Sequence, residues 1–122
     1  MTNSIANDRR YVTVPFVIDD VSTAGQVYIP VNGNIAGKIV EIRTALNGAI
    51  GTADAVLTGK ISGTAITGGV VTIATASSAA GDIDTAEPTA ANDCVAGQVI
   101  EIETNGASTN TVRVFGNILI LR

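Results

Sequence analysis

The sequence has 122 residues with seven Lys and Arg against eleven Asp and Glu, a formal net charge of -4, and neither histidine nor tryptophan. Apart from the Arg9 and Arg10 pair the basic residues are scattered, which leaves no concentrated cationic surface for nucleic acid. A lone cysteine, Cys94, excludes an intrachain disulfide and a Cys/His zinc set.

Only 15% of residues are charged and the mean hydropathy is +0.38. Such a surface suits packing against other protein, although much of the apolar fraction is Ala and Val, which fits a compact sandwich of small side chains equally well. Met1 to Asp8 is polar around a single Ile5, so residues 1–10 read as a flexible arm and 11–122 as one domain. No secretory apolar core opens the chain, and no run approaches the roughly 20 apolar residues of a membrane helix. The expectation is a soluble, unprocessed protein with no membrane partner.

From Tyr11 the pattern alternates: Val12, Val14, Phe16 and Ile18 face one way, Tyr11, Thr13, Pro15 and Val17 the other. Pro15 cannot donate a ladder hydrogen bond, so this strand belongs at an edge or a bulge. Asp19 to Gly25 is a turn, and Val27, Ile29 and Val31 line a short second strand. Gly37 to Leu46 is longer, with Val40, Ile42 and Leu46 on one face and Glu41 and Arg43 on the other. Ala55 to Ser62 follows after a loop. Thr64 to Thr67 is a brief strand, and Gly68-Gly69 turns the chain into Val70 to Ala74.

Thr75 to Gly97 breaks the rhythm, rich in Ala, Ser, Thr, Asp and Gly, with no sustained strand pattern. Connections of that length inside compact domains often carry binding roles. Strand pattern resumes over Gln98 to Thr104 and again over Thr111 to Leu121. In the last stretch Val112, Val114, Ile118 and Ile120 form a core face, while Phe115, Leu119 and Leu121 make the opposite face apolar enough for a subunit seam. About eight short strands without a convincing helix predict an all-β, jelly-roll-like two-sheet β-sandwich, with the first and last strands in one sheet.

Chemistry is harder to find. Asp82, Asp84, Glu87 and Asp93 offer hard oxygens for a cation, but neither their spacing nor a central glycine matches a calcium loop, and a solvated acidic segment is favoured. Asp19-Asp20 and Glu101 with Glu103 are carboxylate pairs read as surface charge, because no cleft or sugar-stacking aromatics accompany them. Cys94 has no histidine to activate it and reads as a packed residue. No catalytic, cofactor or metal site assembles, so the expectation is a non-enzyme with no small-molecule substrate. Arg9, Arg10 and Tyr11 are the best contact patch, since Arg and Tyr are enriched in interfaces.

Several phrases stand out together: Tyr11-Val12-Thr13-Val14-Pro15-Phe16-Val17-Ile18 with Asp19 to Ala24, then Gly68 to Ala74, Ala79 to Asp84 with Pro88-Thr89-Ala90, and Ala96 to Ile102. They resemble the small virion proteins of tailed bacteriophages that decorate or cement the head. The resemblance implies a jelly roll or related sandwich, a homotrimer on the capsid lattice, and the phage major capsid protein as partner. It further implies location on the virion surface after synthesis in the host cytoplasm. A receptor- or carbohydrate-binding module of a tail or fibre is the alternative, weakened by scarce aromatics. A glycan hydrolase is weakened by the missing histidine and convergent acid pair.

Overall fold

The computed structural model describes residues 10–122, and the arm expected over 1–10 lies outside them except for Arg10. Nine strands form among the described residues: β1 (Tyr11–Ile18), β2 (Gly25–Pro30), β3 (Gly37–Leu46), β4 (Ala55–Ile61), β5 (Thr64–Ile73), β6 (Ile83–Ala86), β7 (Asp93–Cys94), β8 (Val99–Thr104) and β9 (Val114–Leu121). One sheet runs β1-β9-β3-β6, with β7 also pairing β3, and the other runs β2-β8-β4-β5. All pairings are antiparallel. The chain crosses between the sheets at nearly every connection, β4–β5 being the one large hairpin within a sheet. That strand order is the double Greek key of a jelly roll, and the first and last strands are neighbours as expected.

The core lies between the sheets. Val114, Ile118 and Ile120 of β9 meet Ile39, Ile42 and Leu46 of β3 and, from the other sheet, Leu57, Val71, Ile100 and Ile102, all buried. At roughly 25 cal/mol per Å² of apolar area removed from water, this aliphatic layer is the main stabilising term. β1 sits at a sheet edge, where Pro15 is tolerated. The Arg122 N–H donates to the Arg10 carbonyl, so Arg10 and Arg122 form a hydrogen-bonded pair and alternate residues of β1 bond to β9. Pro15 falls on the intervening set, and its missing donor faces the open edge.

Four details depart from the sequence reading. In β3 the register shifts between Ile39 and Glu41, so Ile39 joins Ile42 in the core and Val40 becomes the extra residue, half-exposed. In β5 the expected turn at Gly68-Gly69 is an excursion within one strand: Thr58 pairs Val70 and Lys60 pairs Ala65, leaving Ile66 to Gly69 to bow out. Ile66 turns inward to the core, and Gly68 has φ of +77°, a region open to glycine.

Third, the 75–97 segment contains β6 and β7, which cover the free side of β3. Leu46 N–H donates to the Asp82 carbonyl, Gly81 N–H to the Leu46 carbonyl, and Thr75 and Ser78 hydroxyls to the Ile50 carbonyl. Fourth, Glu101 is buried and not surface charge: its Oε2 accepts the Gly63 N–H at 2.6 Å.

Candidate functional site: the outer face of the β1-β9-β3-β6 sheet

The period of two that sends β9's aliphatic residues inward sends Phe115, Asn117, Leu119 and Leu121 outward. Register then fixes their neighbours. Phe115 stands opposite Val17 on β1 and Ala45 on β3, and Ala45 in turn opposite Ile83 on β6. The result is one apolar row crossing all four strands, with Val17, Phe115 and Ile83 at 43%, 44% and 55% exposure. A cavity of about 240 Å³ opens along it, bounded by Pro15, Arg43 and Asn117.

The next rows are polar. Pro15, Asn117, Arg43 and Thr85 share one, and Thr13, Leu119 and Glu41 the next. Arg43 Nε bonds Glu41 Oε1 at 3.1 Å, and that carboxylate raises the guanidinium pKa above its ordinary value. At the far end Tyr11 stands opposite Leu121, which faces Lys38 on its other side, and Lys38 pairs with Asp93 at 3.4 Å. Val95 is exposed near Leu121, where a shallow depression is also lined by Lys38 and Asp93.

The structure therefore brings the expected seam residues Phe115, Leu119 and Leu121 onto one face, Phe115 exposed and the two leucines half-buried. It places Tyr11, 52% exposed, on that same face, with Arg10 exposed at its edge; Arg9 lies outside the described residues. Sequence reasoning missed Ile83, Ala45 and Val95 as members. Ile83 sat in a segment with no long alternation, and a four-residue strand carries too short a pattern to be seen.

The other constellations have structural employment. Asp20 accepts from the Ser22 N–H, the Ser22 hydroxyl and the Thr23 hydroxyl, which lower its pKa, while Asp19 pairs with Arg113 at 3.4 Å. Glu103 pairs with Lys60 at 2.6 Å. Burial, with Asp82 nearby, raises the Asp84 pKa, and among the described residues no three acidic or thiol side chains are grouped to hold a metal ion. Cys94 is buried, and its burial pushes the thiol pKa up. No described helix is long and apolar enough to cross a membrane.

No protein-family model and no curated protein matches the chain. Among solved structures it is similar to a chain in the acidic stable capsid structure of Helicobacter pylori bacteriophage KHP30, with a TM-score of 0.58 and 13% sequence identity over 92% of this chain and 87% of that one. At that identity the likeness is one of fold: this chain shares its sandwich architecture with a component of a bacteriophage capsid structure.

Proposed function

We propose that the chain is a structural virion protein of a tailed bacteriophage, a decoration or cement protein that binds the major capsid protein on the outside of the head. The observation that carries this reading is the apolar row Val17–Phe115–Ala45–Ile83, laid across a rigid sheet and left uncovered by the described residues, on a jelly roll of the kind seen in a phage capsid. Contiguous exposed apolar surface rimmed by polar residues marks a protein contact. In the proposed assembly Phe115, Leu119 and Leu121 form the seam of a homotrimer. Arg10 and Tyr11, at the Leu121 end of that face and on its outer edge, meet the coat protein together with Arg9. A trimer engaging several coat subunits at once turns weak contacts into firm attachment through high effective concentration. The role needs no chemistry, in keeping with the use of the carboxylates and Cys94 in local structure.

The test is binding of purified protein to expanded empty heads of its phage, scored as occupancy. Wild-type protein is expected to saturate the heads, and Tyr11→Asp with Arg10→Glu to lower occupancy while the variant remains folded. Failure of wild-type protein to bind heads, or binding to glycans instead, would overturn the reading.

A further inference from the structure

Three Asn-Gly dipeptides occur in the sequence: Asn32-Gly33, Asn47-Gly48 and Asn105-Gly106. Glycine leaves its own backbone nitrogen unhindered, so this pair is the one most able to close on itself. The nitrogen attacks the preceding side-chain amide when that amide and the N–H are both free to move. The three sites differ sharply in that freedom.

At Asn32 the side-chain oxygen accepts the Asn34 N–H at 2.8 Å, and the Asn32 carbonyl accepts the Ile35 and Ala36 N–H groups. At Asn105 the side-chain oxygen accepts two backbone N–H groups, from Val56 and Ala107, both at 3.2 Å. Gly106 is itself held there: its N–H reaches the Thr104 hydroxyl, its φ is +67°, and a Cβ on it would overlap the Ala24 backbone. Asn47 has neither restraint. It is exposed and its backbone N–H donates to the Arg113 carbonyl, but among the described residues its side-chain amide has no hydrogen-bond partner, and neither does the Gly48 N–H. Gly48 also lacks the positive φ that holds Gly106.

We propose that Asn47-Gly48 is a self-modification site of the folded protein, at which Asn47 is converted to aspartyl and isoaspartyl residues. The Gly48 nitrogen gives its proton to hydroxide and attacks Asn47 Cγ, forming a C–N bond. The Cγ–Nδ2 bond then breaks and ammonia leaves with a proton from solvent, which closes a five-membered succinimide. Water opens that ring at either carbonyl. Cleavage of the bond from Cγ to the ring nitrogen leaves an ordinary aspartyl residue where the asparagine stood; cleavage at the main-chain carbonyl leaves the chain running through Cγ, one methylene longer. Either product adds a carboxylate at the end of β3, next to Leu46, whose backbone is bonded to Gly81 and Asp82.

Tryptic digestion separates the three sites cleanly. Asn47 is the sole asparagine in Thr44 to Lys60, while Asn32 falls in Tyr11 to Lys38 and Asn105 in Ile61 to Arg113. Native protein is incubated in mildly alkaline buffer and digested, and the mass change of replacing NH₂ by OH is followed in each peptide, beside a denatured control. The Thr44 to Lys60 peptide is expected to convert first, as a doublet of aspartyl and isoaspartyl forms, with the other two sites accelerating only on denaturation. A Cβ on Gly48 would meet only Val112 methyls at 3.7 and 3.9 Å, so Gly48→Ala fits the fold. The variant is expected to slow conversion more than about tenfold, because a methyl group restricts the approach of the nitrogen. Conversion in native protein led by Asn32 or Asn105, or a Thr44 to Lys60 peptide that converts only in the denatured control, overturns the proposal.

Discussion

Phe16 is the one aromatic buried among the described residues, and its place depends on an absent side chain. Gly116 lies opposite it across the β1–β9 ladder, and a Cβ there would overlap the Phe16 ring at Cζ. The ring lies on the glycine. Gly116→Ala forces the ring out of its seat and is expected to cost about 1–3 kcal/mol, the usual range for overpacking a filled core. Phe16→Leu in the same chain should recover part of that loss; additive effects in urea unfolding would show that the two positions are not coupled. Cys94 makes the second prediction at this scale. Its folded pKa is raised by burial, so its stabilising neutral form is fully present below the unfolded thiol value of about 8.5 and is lost as pH rises through the folded one. Stability should therefore fall above about pH 8.5, with a shallower slope in Cys94→Ala, measured by the urea midpoint.

Among the elements, the strands with long alternation were legible and the short ones were not. The bounds of Tyr11–Ile18 and Gly37–Leu46 were placed to the residue because a long run of alternation outweighs any local preference, although in Gly37–Leu46 the alternation is broken at the bulge. β6 and β7 have four and two residues and owe their form to partners on β3 that no local pattern announces. The β3 bulge was invisible for the same reason. Its partner is Asn92, fifty-three residues away, whose buried Nδ2 donates to the Ile39 carbonyl at 2.7 Å while its own carbonyl accepts the Ile39 N–H at 2.8 Å. Asn92 thus closes both backbone groups that the bulge would strand. Asn92→Ala should cost about 1–3 kcal/mol by leaving the Ile39 carbonyl buried and unpaired. The Ile39 amide, bonded to the main-chain carbonyl of residue 92, should keep its hydrogen-exchange protection. An unchanged urea midpoint would remove Asn92 from this role. On β9, whose two faces were readable from alternation alone, Leu119 is half-buried on the outer side, so Leu119→Asp should leave a folded chain. If Leu119 lies in a seam, light scattering should show a smaller species than the wild type; an unfolded variant would place it in the core.

For the whole molecule, the absence of histidine sets the shape of stability against pH. Ordinary carboxylates finish ionising by about pH 5 and thiols begin near pH 8.5, so no side chain with an ordinary pKa changes charge across the interval between. Of the shifted carboxylates, Asp20 moves away from that interval and Asp84 toward its acid side. Asp20 has a lowered folded pKa, so its contribution is present above its unfolded value and is lost as pH falls through the folded one. Asp84 has a raised folded pKa, so its protonated form is the stabilising one and acidification acts there in the opposite sense. Arg43 and Lys60 are raised by Glu41 and Glu103, and their contributions are full at neutral pH and lost only on strong alkalinisation. The thermal midpoint should accordingly be flat from about pH 5 to about pH 8, with opposed carboxylate effects softening its fall in acid. Scans must hold protein concentration fixed, because any coupling to assembly makes the midpoint depend on it. A midpoint that moved by more than about 4–8 °C inside the interval, the shift expected for 1 kcal/mol in a domain near this size, would overturn the prediction.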